Sequence, residues 1–74
     1  MTRDEFLRVR RAARISQCRL GQLAGMQQTL VSQYERGTLV LHPTKLAALQ
    51  RGLRHELRRA AREIRALAER FRAV

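Results

Sequence analysis

The sequence predicts an all-α fold, a compact bundle of about five helices that ends in an extended helix. Three observations predict it. Apolar residues recur three and four apart, as in Leu20, Leu23 and Ala24, then Val31 and Tyr34. Gly25 and Gly37 each follow such a run, where a residue able to turn left-handed ends a helix. From His55 to Ala73 there is no Gly or Pro, and the stretch is rich in the good helix formers Ala, Leu, Arg and Glu. Seventy-four residues make one small folded body. The spacing divides it into a body over residues 1–53 and a basic C-terminal helix over residues 54–74.

The first helix is expected over Thr2 to Arg14. Thr2 and Glu5 read as a capping-box pair, and Asp4 and Glu5 suit the positive end of the helix dipole. Phe6, Leu7, Val9 and Ala13 supply its apolar faces. The arginines Arg3, Arg8, Arg11 and Arg14 read as solvated or near phosphate. Ser16 is a good N-cap for a second helix, roughly Gln17 to Ala24. A third follows over roughly Gln28 to Arg36, where Val31 and Tyr34 can face the same core as Leu20 and Ala24. Two short helices joined by about three residues that include a glycine is the helix-turn-helix description.

Residues 38–43 read as a loop with unusually apolar contents, Leu39, Val40 and Leu41, either partly buried or facing a second copy. Pro43 suits the start of the fourth helix, since its missing amide costs nothing there, and His42 is a weak N-cap. Leu46, Leu49 and Leu53 are the core positions of this helix. Helices four and five either run together with a bend near Gly52 or break there. Leu53, Leu57, Ala60, Ile64, Leu67, Phe71 and Val74 then alternate four and three apart, the a/d seam of a coiled coil. The seam either pairs two chains or folds back over its own body. A helix of about 20 residues is about 30 Å long, more than a body of this size easily covers, so a dimer is favoured.

Sixteen basic residues against six acidic ones give a net charge of +10 and an isoelectric point near 11.8. So strong a field implies an acidic partner, most simply nucleic acid. Fifteen of the sixteen are Arg, a bias that codon usage also produces. A chain this short buries about 60% of its unfolded surface, so pairing would add stability. One cysteine, Cys18, forms no internal disulfide, and His42 and His55 give no zinc-site spacing. No cofactor and no metal is expected. An enzyme is disfavoured, since no clustered carboxylates, phosphate loop or Cys/His pair occurs. No apolar run spans a bilayer and no signal-peptide core opens the chain, so a cytoplasmic location without membrane association is expected.

The stretch from Ser16 to Gly37 carries a resemblance. Ser16-Gln17, Leu20-Gly21, Ala24-Gly25-Met26, Val31-Ser32 and Tyr34-Glu35-Arg36-Gly37 follow the pattern of the phage repressor and Cro-like helix-turn-helix family, also called the xenobiotic-response-element family. The match covers roughly residues 4 to 53, and the tail lies outside it. Gly21 departs from the pattern, which usually has Ala; Gly keeps a close helix approach and loosens the helix by up to about 1 kcal/mol.

The resemblance implies a double-stranded DNA-binding transcriptional regulator, bacterial or phage-encoded and nucleoid-associated when bound. It suggests a repressor, with activation as the other possibility. It places the start of the third helix in the major groove. Gln28, Thr29, Ser32 and Gln33 are the candidates for base contact, since glutamine can bond adenine N6 and N7 and a threonine methyl can touch a thymine methyl. Gln17, Arg19, Gln27, Arg36 and Thr38 are the candidates for backbone contact, which sets register rather than reading sequence. Arg10 and Glu35 sit where the family pairs an arginine with a glutamate; the bland alternative is two independent surface charges. Leu30 is undecided between a thymine methyl and packing on the fourth helix. Outside the resemblance, the four-three spacing makes Leu53, Leu57, Ile64, Leu67 and Phe71 the expected dimer seam. Two copies would then read a near-palindrome with half-sites about one helical turn apart. The competing reading is an interaction protein of the antitoxin or anti-repressor kind, whose C-terminal helix binds another protein.

Overall fold

The computed structural model describes residues 1–72, and Val74, the last position of the expected seam, lies outside them. Among the described residues the chain forms four helices: α1 (Arg3–Ala12), α2 (Gln17–Ala24), α3 (Gln28–Arg36) and α4 (Pro43–Arg72). No strand occurs among them. The expected fifth helix is absent as a separate element, because α4 continues through Gly52 without a break.

Local chemistry accounts for most of the boundaries. The Thr2 hydroxyl accepts the Glu5 amide at 3.1 Å and starts α1. This helix ends at Ala12 rather than Arg14, and Arg14 itself takes a left-handed φ of 57°. Ser16 caps α2 by accepting the Arg19 amide at 2.9 Å. Gly25 and Gly37 close α2 and α3 with φ of 71° and 77°, a region that side chains disfavour. Helix α3 starts without a side-chain cap, leaving its first amides free. His42 is a better cap than expected: its Nδ1 accepts the Thr44 amide at 3.2 Å.

The core is the meeting place of all four helices. Phe6, Leu20, Val31, Leu49 and Leu53 are fully buried, each contributing roughly 1.5–3 kcal/mol of transfer free energy. The Phe6 ring meets Tyr34 edge-on, with centroids 5.5 Å apart. Leu41 is buried and Leu39 packs against the core, while Val40 between them stands in solvent. Leu30 is half-buried and lies outside this cluster.

Gly52 is a packing position, not a hinge. A Cβ there would lie 3.3 Å from the Leu23 Cβ, so the bare backbone lets α2 settle closely on α4. Gly21 plays the corresponding part for α3, since a Cβ on it would lie 2.6 Å from the Met26 carbonyl oxygen in the turn. Two glycines thus let the turn and α4 each approach α2 closely.

The last third of α4 leaves the body. Every residue from Ala61 to Arg72 is exposed, and the molecule extends 49 Å along its longest axis against 20 and 18 Å across. The helix does not fold back over its own core. Leu53 is fully buried and Leu57 packs against the body, so the first two positions of the expected dimer seam belong to the chain's own core. Ile64, Leu67 and Phe71 are exposed.

Candidate nucleic-acid interface

The polar edge of α3 is built by elimination. Its apolar residues Val31 and Tyr34 face inward and carry Glu35 with them. What remains at its start faces outward: Gln27, Gln28 and Thr29 are exposed, and Ser32 and Gln33 are half-buried. No side-chain hydrogen bond to another described residue engages Gln28, Thr29 or Ser32. This row of free donors and acceptors begins beside uncapped helix amides, where the dipole is positive. At the other end of α3, Arg36 and Thr38 are exposed. Thr38 is tied in place, its hydroxyl donating to the Gln33 carbonyl at 3.2 Å.

Arg10 and Glu35 hold the back of this element. The Arg10 guanidinium donates to both Glu35 carboxylate oxygens, at 2.5 and 2.9 Å, and to the Ile15 carbonyl at 2.8 Å. Both side chains are largely buried, at 12% and 4% exposure. One arginine thereby joins α1, the loop before α2, and α3. Burial also pushes the neighbouring Tyr34 phenol above its ordinary value of 10.0.

Two of the expected backbone-contact residues are engaged elsewhere. The Gln17 side-chain amide donates to Glu35 Oε1 at 2.7 Å, completing the buried carboxylate's partners. Its side chain therefore braces the ion pair, while its backbone amide remains at the start of α2. Arg19 reaches the other way, to Glu56 on α4, with contacts of 3.1 and 3.3 Å.

Glu56 is a residue that sequence reasoning missed. The heptad pattern places it on a flank, with the solvated charges. Its side chain is instead 2% exposed, held between Arg19 and Arg59, the latter at 2.9 Å. Arg59 also holds Glu63 one turn further on, at 2.6 Å. The hydrogen bond from Arg59 is the largest influence holding the Glu56 carboxyl below its ordinary 4.5; burial opposes it, and Arg19 adds to it. This network clamps α2 to α4 at the point where α4 leaves the body. Its signal in the sequence is faint, since Arg19 and Glu56 are separated by 37 positions.

The charge distribution has one sign over most of the body. Between Glu5 and Glu56 the only carboxylate is Glu35, and it is buried in an ion pair. Arg14, Arg19, Arg36, Lys45, Arg51 and Arg54 are all exposed over the same span. Arg3 adds to the cluster at the end of α3, its guanidinium lying where a Cβ on Gly37 would stand. No exposed acid on α2 or α3 would repel a phosphate there.

No group of His, Cys, Asp and Glu among the described residues could hold a metal ion, and Cys18 is a free, exposed thiol. No described helix is long and apolar enough to cross a membrane. Comparison with family models, with curated proteins and with solved structures finds no match.

Proposed function

We propose that the chain is a sequence-specific double-stranded DNA-binding regulator of transcription, acting as a homodimer and repressing by occupying a promoter. In this reading α2, its three-residue turn and α3 act as a helix-turn-helix, with α3 in the major groove. The observation that carries the reading is the free polar row at the start of α3, on a pair of helices, α2 and α3, that carry no exposed carboxylate. Gln28 and Thr29, both exposed, read bases, with the half-buried Ser32 and Gln33 beside them. Gln27, Arg36 and Thr38 hold the backbone, and Arg3 joins them. Most of the affinity comes from arginine–phosphate contacts and weakens steeply with salt. The exposed stripe of Ile64, Leu67 and Phe71 pairs two copies, so that two α3 helices address one two-fold-related site.

The experiment is a comparison of Gln28→Ala with the parent chain on a panel of duplexes across a salt series. The expected result is a changed sequence preference with the salt slope kept, because a base contact is lost and the phosphate contacts are not. An unchanged preference removes Gln28 from base readout. A second reading is supported by the same exposed stripe: α4 serves a different protein, as in an antitoxin or anti-repressor. A chain that is monomeric alone and binds duplex weakly favours that reading over the first.

A further inference from the structure

We infer that two copies pair through the projecting part of α4 in antiparallel orientation, with Glu63 of each copy facing Arg70 of the other. The inference rests on the reading above that this helix joins two copies, and it adds the direction in which they meet.

The apolar line available for pairing runs from Ala60 through Ile64 and Leu67 to Phe71, since Leu57 is already packed on the body. The two flanks of this line differ. Glu63 and Arg70 lie two turns apart on one side, and Ala61 and Ala68 lie two turns apart on the other. Charges on such flanks set the direction of pairing.

In a parallel pair each layer meets its own copy. Ala60 would then face Ala60 and leave a void, while Phe71 would face Phe71 and crowd. Glu63 would lie nearest the alanine flank of the other helix, with no charge to meet. An antiparallel pair turns about an axis between Arg65 and Ala66. Ile64 then packs on Leu67 of the second copy, and Phe71 fills the space over its Ala60. The charged flanks face each other, so Glu63 meets Arg70 twice, once on each side of the axis. The alanine flanks also face each other, and their small side chains let the helices approach. Size and charge therefore agree on one direction. Arg58, Arg62, Arg65 and Arg72 lie off the line and stay solvated, which keeps most of the like charge out of the interface.

The pairing has a consequence for the DNA reading. It carries the two bodies to opposite ends of the coil, roughly 45 Å apart along it at 1.5 Å per residue from the axis to Arg51. The spacing of the two bodies is then set by the tail.

The test is sedimentation of the full chain and of Glu63→Arg and Arg70→Glu variants, alone and mixed, with helix content followed by circular dichroism. Each variant alone loses two attractions and gains two repulsions, and self-association weakens on the order of tenfold. An equimolar mixture of the two variants forms a mixed dimer at least as tight as the parent, because the arginine introduced in one variant then meets Arg70 of neither copy but the glutamate introduced in the other. The Glu63→Arg change also removes the contact with Arg59; Arg70 makes no ion pair among the described residues, so its variant stands as the cleaner arm. A parent dimer that neither variant weakens overturns the antiparallel arrangement and leaves the dimer standing. A parent chain that stays monomeric at every concentration overturns the pairing itself.

Discussion

Replacing Glu35 with alanine is expected to be among the most damaging single changes on this surface-rich molecule. The carboxylate accepts Arg10 twice, at 2.5 and 2.9 Å, and Gln17 once, at 2.7 Å. Removing it leaves a guanidinium that is 12% exposed with only the Ile15 carbonyl for company, and an amide without its acceptor. Breaking a buried pair from one side costs about 3–5 kcal/mol, chiefly because the remaining charge is stranded. A chain of this length has about 4–11 kcal/mol of stability in all. A loss of about 3 kcal/mol lowers the melting temperature by about 12–24 °C in a domain of this size. Urea and thermal unfolding of Glu35→Ala, Arg10→Met and the double variant form the cycle. The double variant is expected to recover much of the loss, since neither partner is then stranded. Equal melting temperatures for Glu35→Ala and the parent would instead show two charges that do not depend on each other.

Three further expectations concern other parts of the molecule. Gly21→Ala gains up to about 1 kcal/mol of helix propensity but puts a Cβ 2.6 Å from a carbonyl oxygen of the turn, and overpacking of this kind costs about 1–3 kcal/mol; the net is a lower urea midpoint, and a raised midpoint would show that the turn can retreat. Glu56 has a depressed folded-state pKa, so its contribution is present above the unfolded value near 4.5 and is lost as pH falls through the folded one; Glu56→Gln should flatten the parent's loss of stability below about pH 4.5, and an unchanged acid limb would place the titrating group elsewhere. Ile64→Asp with Leu67→Asp should weaken self-association while leaving the body's unfolding temperature nearly unchanged, because both side chains are exposed in the single chain; an undisturbed dimer mass would move the interface off this helix.

The helices themselves are legible because their boundaries are set by neighbours in sequence. Ser16, Gly25 and Gly37 act on amides and carbonyls within one turn, and each stands where its side chain, or lack of one, predicts. The unbroken course of α4 is not legible. Gly52 weakens a helix by intrinsic propensity, and what keeps it is contact with Leu23, nearly thirty positions away. Periodicity shows that Leu53, Leu57, Ile64, Leu67 and Phe71 share one face, but not where the body ends along it. The apolar core ends at Leu57, Ala60 beyond it is half-buried, and every described residue from Ala61 on is exposed.

The polar residues divide in the same way. Helical phase alone puts Gln28 and Thr29 on an outward face, and they lie there. The position of Gln17 and Arg19 at the start of α2 says where a backbone amide points, but not which buried carboxylate a long side chain will reach. Glu35 and Glu56 claim them, one from α3 and one from α4. In so basic a chain each buried acid collects the cations nearest to it, and neither separation along the chain nor heptad position reveals which those are.

Sequence-specific recognition is tested by selection of binding sites from a random duplex pool at near-physiological salt, using the full chain. Sequence-specific binding by two paired copies predicts an enriched, two-fold-symmetric consensus, lost or altered when Gln28 is changed to alanine. A pool from which nothing is enriched, despite binding of duplex at low salt, would contradict sequence-specific recognition and leave the positive surface with phosphate alone to recognise.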